Sequence, residues 1–84
     1  MTAAEKAVAL EIRRIARDEL RLSVEAEDGD ELASSLDSLA LLSLVVAVED
    51  RFRVVLTEED AAKAKSLEGL ARIVASRAPA EALP

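Results

Sequence analysis

Apolar residues recur at helical spacing over most of the chain. Ala4, Val8, Ile12, Ile15 and Ala16 fall on one side of a 3.6-residue turn, which predicts a first helix over residues 3–21. Arg13, Arg14, Arg17 and Asp18 decorate its other sides, and Leu10 falls off the stripe, toward solvent. No period survives over residues 22–36, where Gly29 sits among acids. A connection this long between helices is unusual and often functional. Leu22, Val24 and Leu32 are its candidate anchors to the core.

The period returns in "SLALLSLVVAVEDRF", residues 38–52. Leu41, Leu44, Val45, Val48 and Phe52 form one face, enough to enter a core. Leu39, Leu42 and Val46 form a second apolar stripe. A helix apolar on two faces is either fully buried or also touches something outside the domain. Asp37 is its N-cap, since the carboxylate can accept an orphan amide of the first turn. "RVVL" at 53–56 favours extended backbone but has no partner strand, so it is an extended connection. "TEED" at 57–60 is a capping box that opens a short third helix, about residues 58–64. Ser66 caps a fourth helix with Leu67, Leu70, Ala71, Val74 and Ala78 inward. Residues 1–78 form one domain, and 79–84, "PAEALP", are expected to be a flexible tail. The expected fold is all-α, a four-helix bundle with a long first loop and a short third helix.

Composition narrows the function. The 84 residues contain no cysteine and no histidine. Disulfides and Cys-ligated metals are excluded, and the usual general base and commonest metal ligand are missing. An EF-hand is excluded as well: with Gly29 at its sixth position, Val24 and Ser35 would stand where calcium ligands are needed. Seventeen acids against eleven bases give a net charge of −6, which disfavours nucleic acid and anionic membranes as partners. The chain has neither a signal-peptide pattern nor an apolar run of about 20 residues, so a cytoplasmic location is expected. The charge is concentrated: residues 23–37 carry six acids and no base, whereas the thirty-two residues from 53 onward sum to zero. That acidic segment is a solvated loop that can also attract a basic partner.

Asp37-Ser38 can be read in three ways. It can be a plain helix cap. A catalytic Ser38 would need a base, and Lys6, Lys63 and Lys65 are the only amines available for that role. A modified Ser38 needs only an exposed hydroxyl at a helix start, where a phosphate-linked group would meet the positive end of the helix dipole.

The segment from Leu36 to Val74 resembles an acyl carrier protein. The resemblance rests on "DSL" (Asp37-Ser38-Leu39), thirteen residues from that serine to Phe52 in "VEDRF", a four-residue link, and "TEEDAAKAKSLEGLARIV". It implies a non-enzymatic carrier in which Ser38 holds covalent 4′-phosphopantetheine delivered from coenzyme A, flanked by Asp37 and Leu39. It further implies that Leu39, Leu42, Val46 and Glu49 face partner enzymes, and that Asp37 helps dock the phosphopantetheinyl transferase. An acyl- or aminoacyl-loading ligase or transferase and downstream biosynthetic enzymes would follow, in fatty acid, polyketide or specialised-metabolite synthesis. No metal is implied, and a monomer is expected. Met1 at one end and a fourth helix near the other suit a stand-alone carrier. Ser34 and Ser35 stand where the family often has glycine, Ala40 and Ser43 where acids are common, and Arg51 and Arg53 where acid and glycine are common. An apolar partner contact on the second helix is therefore expected, with the acidic loop at 25–31 supplying long-range attraction. The competing reading is an unmodified helical adaptor that binds a partner helix.

Overall fold

The computed structural model describes residues 1–84 and contains four α-helices and no strand: α1 (Ala3–Arg14), α2 (Ser38–Phe52), α3 (Glu58–Lys63) and α4 (Leu67–Arg77). It is the all-α architecture with a long first loop and a short third helix that the residue pattern predicts. No helix is long and apolar enough to cross a membrane.

Each helix begins on a side chain that satisfies its orphan amides. Thr2 and Glu5 close a reciprocal capping box on α1, and Thr57 with Asp60 does the same on α3. Asp37 caps α2, and Ser66 caps α4 by accepting the Gly69 N–H at 3.0 Å. Val8, Ala9 and Ile12 are the buried face of α1, continued by Ile15 and Ala16 just past its end. Ala4, expected on that face, is exposed; burial begins at Val8, and Met1 packs against the core at that end instead. Past Arg14 the helix widens into a π-turn over Ile15–Glu19. It stops at Arg21, whose φ of 57° leaves the right-handed region.

The first loop is tied down by polar as well as apolar contacts. Leu32 and Leu36 are buried, and Leu22 and Val24 pack against the core as expected. Arg13 reaches across from α1. Its guanidinium pairs with Asp28 at 2.7 Å and donates to the carbonyl oxygens of Ala26 at 2.8 Å and Val24 at 3.4 Å. The backbone of Leu32 donates to Lys65 at 2.9 Å, and that of Glu68 to Asp28 at 2.8 Å, so the loop is stitched to the α3–α4 junction.

Leu44, Val48 and Phe52 carry α2 into a core shared with α1 and α4, and Phe52 is fully buried. Arg53 ends α2 in the left-handed region at φ 55°, a conformation suited to glycine. Residues 79–84, expected to be a loose tail, fold back onto the bundle. Ala80–Ala82 form a 3₁₀ turn, Ala82 is buried, and its carbonyl accepts Arg51 at 2.7 Å. Arg51 also pairs with Glu11 at 2.7 Å, linking α1, α2 and the C-terminal turn.

Candidate functional site

The start of α2 is set by a short run of local bonds. Leu32–Ser34 form a 3₁₀ turn, and Ser34 Oγ donates to the Glu31 carbonyl at 2.6 Å. The Ser35 and Leu36 amides both return to Leu32, at 3.0 and 2.9 Å. Neither Ser34 nor Ser35 has a positive φ, so this turn does not need the glycine that the family often places there. Leu36 is buried and anchors the turn, leaving the next three residues, Asp37, Ser38 and Leu39, in solvent.

Asp37 has extended backbone, and its Oδ1 accepts the Ala40 N–H at 2.8 Å. Its second carboxylate oxygen remains open to a partner. Ser38 is the first residue of α2. Its side chain is exposed and its hydroxyl has no hydrogen-bond partner within the chain. The free amides and dipole of a fifteen-residue helix point at this end. A phosphodiester on Ser38 Oγ would therefore sit where anionic oxygen is favoured, in an approach that nothing in the chain obstructs.

Beyond Ser38 the helix presents two apolar faces with different surroundings. Leu39, Leu42 and Val46 are 74%, 59% and 48% exposed, a continuous unpartnered stripe. Glu49, expected at the far end of this stripe, is half-buried, and its Oε2 accepts the Leu56 N–H at 2.8 Å. Its carboxylate thus fastens the 53–56 link to α2. On the other face, Leu41 and Val45 are only partly covered and line an apolar cavity of about 260 Å³. Leu32 and Ala33 of the 3₁₀ turn, Ala61 and Ala64 at α3, and Leu70 of α4 close it, with Glu31 and Lys65 at its edge. Leu41, one of its lining residues, lies about one helical turn along α2 from Ser38.

The cavity was not readable from periodicity. Its one sequence signal is the small side chains Ala61 and Ala64, which leave space where larger residues would fill the bundle. The other unforeseen feature is the bond from Asp60, already part of the expected capping box, to α4. The Asp60 carboxylate accepts Arg77 of α4 on both oxygens, one bond measuring 2.8 Å, and also accepts the Thr57 N–H at 2.9 Å. The Arg77 guanidinium, followed by the Thr57 amide, holds the Asp60 carboxyl well below the usual carboxylate range against the opposing effect of burial.

The acidic loop keeps most of its charge unneutralised. Asp28 is spent on Arg13 and Asp37 on its cap. Glu25, Glu27, Asp30 and Glu31 are exposed and have no cationic partner. The surface leading to α2 is therefore negative, while the stripe on α2 itself is apolar.

One family model, that of the phosphopantetheine attachment site, matches residues 11–74. No curated protein and no solved structure matches the chain significantly.

Proposed function

The chain belongs to the phosphopantetheine-binding carrier family, whose members are non-catalytic and hold a covalent 4′-phosphopantetheine, and on that footing we propose that Ser38 is the attachment point. The observation that carries this reading is the free, exposed Ser38 hydroxyl at the dipole-positive end of α2. Once attached, the arm supplies a terminal thiol that can hold an acyl or aminoacyl group as a thioester, the sulfur chemistry a cysteine-free chain lacks. Asp37 keeps the helix start rigid and offers its second oxygen to the transferase. Leu39, beside the attachment point, begins the apolar surface that partner enzymes cover.

An apolar acyl cargo is the better reading than a bare aminoacyl group. The cavity is lined by Leu41, about one turn along α2 from Ser38, and by Val45, and seven of its nine lining residues are hydrophobic. An apolar tail placed there is removed from water, while the thioester stays near the surface. Leu39, Leu42 and Val46 would dock successive biosynthetic enzymes, and the charges of Glu25, Glu27, Asp30 and Glu31 would steer basic partners toward them. The protein acts as a monomer in this scheme, because a handle that moves between enzymes must release each one.

The test is an intact mass after incubation with coenzyme A and a broad-specificity phosphopantetheinyl transferase, with Ser38→Ala alongside. A gain of one phosphopantetheine unit, absent from Ser38→Ala, is expected. No gain on a folded chain, with the transferase active on another carrier, would reduce Asp37-Ser38 to a helix cap and leave an adaptor that binds through the apolar stripe.

A further inference from the structure

α3 is anchored in an unusual way. α4 buries Leu67, Leu70, Ala71 and Val74. α3 buries no apolar side chain at all; its one buried residue is Asp60. The hydrophobic effect that fixes a helix in a bundle therefore acts on α3 only from its flanks, through Leu56 before the Thr57 cap and Ala64 just past its end. What holds the helix itself is the fork of Arg77 on the two Asp60 oxygens, between residues 17 positions apart.

α3 is also a wall of the apolar cavity. Ala61, next to Asp60, and Ala64 face Leu41 and Val45 of α2 across it, with Leu70 of α4 beside them. α2, α4 and Leu32 of the 3₁₀ turn are fixed by buried side chains, so α3 is the wall freest to move when the cavity widens. That movement breaks the Asp60–Arg77 fork. We infer that Arg77, through Asp60, is the positioning residue that sets how long an acyl chain the carrier can shelter. This inference rests on the proposed role of the cavity as the acyl site. At about 30 Å³ for each water-sized group, a 260 Å³ space holds roughly eight methylene-sized groups. Shorter chains lie wholly inside, and longer ones leave their ends in water unless α3 swings out.

The experiment has two arms, and the first does not depend on the arm-bearing serine. Hydrogen exchange on the unmodified chain is compared for wild type, Arg77→Gln and Arg77→Lys. Amides of residues 61–65 should exchange about fivefold faster or more in Arg77→Gln, with exchange in α1 and α2 little changed and with partial recovery in Arg77→Lys. In the second arm, Ser38 is loaded with saturated acyl chains of roughly four to twelve carbons, and aminolysis of the thioester by a small amine is timed. Wild type should protect chains up to about eight carbons and lose protection beyond. In Arg77→Gln the break should shift to longer chains, and a merely structural role for Arg77 would not move it. Unchanged exchange at 61–65 in Arg77→Gln overturns the latch. Protection that falls evenly with length, with no break in either protein, overturns the length limit. Failure of Ser38 to load overturns the attachment reading instead and leaves the exchange result to decide the latch.

Discussion

Leu42 and Leu44 lie two residues apart on α2 and carry the same side chain to opposite fates, so truncating each to alanine separates docking from folding. Leu44 is 1% exposed and Leu42 is 59% exposed. Leu44→Ala removes buried methylene groups and leaves a cavity, at a cost of about 2–5 kcal/mol. At about 0.05–0.15 kcal/mol per residue, the 84-residue chain has roughly 4–13 kcal/mol of stability in total, so this is a large share. A central cost of about 3 kcal/mol lowers Tm by roughly 12–24 °C in a domain of this size. Leu42→Ala removes a side chain already mostly in water, and surface changes of this kind stay within about 0.5 kcal/mol, or roughly 4 °C. Function should divide the other way. If Leu42 sits at the centre of the transferase contact, losing it costs about 1–2 kcal/mol, read as a fall of roughly 5- to 30-fold in kcat/KM for loading Ser38. Leu44→Ala, assayed well below its Tm, should keep kcat/KM within about twofold, since its side chain faces the core. Thermal unfolding by circular dichroism and loading kinetics by intact mass decide the matter. A Leu42→Ala chain that melts like Leu44→Ala would place the stripe in the fold. One that melts and loads like wild type would remove Leu42 from the transferase contact.

Two further outcomes follow from backbone and charge. Arg53→Gly relieves a left-handed residue at the end of α2 and gives up only a 3.7 Å exposed pair with Glu81, so it should be neutral or stabilising by up to about 1 kcal/mol in denaturant melts. A cost above that would mean Arg53 holds the C-terminal turn. The Asp60 carboxyl is depressed in the folded state by Arg77 and the Thr57 amide, so its contribution is complete above the ordinary aspartate value of 3.8 and fades as pH falls toward the folded value. The stability gap between wild type and Arg77→Gln should therefore be flat above about pH 5 and narrow below pH 4. A gap that stays constant down to pH 2 would show that Arg77 acts through packing rather than charge.

The local features were legible in the residues because each depends on neighbours a few positions away. The Asp37, Thr57 and Ser66 caps, the bounds of α2 and the extended 53–56 link come from groups within about four residues of one another, as does the Thr2 capping box that periodicity alone did not single out. The candidate site was legible in part for the same reason. An aspartate cap and a first-turn serine mark where α2 begins, but two apolar stripes left open whether Leu39 is buried, and only the packed bundle puts Asp37, Ser38 and Leu39 in solvent. Periodicity marked Ala4 and Val8 alike, but only the packed bundle decides that burial starts at Val8. The resemblance placed Glu49 on the partner face, yet in the fold its carboxylate accepts the Leu56 N–H, an amide that reaches it only when the 53–56 link folds back beside α2. The C-terminal residues carry no helical period, so nothing local announced that Arg51 would donate to the Ala82 carbonyl while pairing with Glu11. The cavity and the Asp60–Arg77 latch belong wholly to tertiary structure: one is a space left between four elements, the other a bond between helices with no spacing rule to signal it. The sequence by itself determined which residues form helices and that Ser38 begins one. The packing of those helices decided how much room the cavity holds, because that volume depends on distances between residues far apart in the chain.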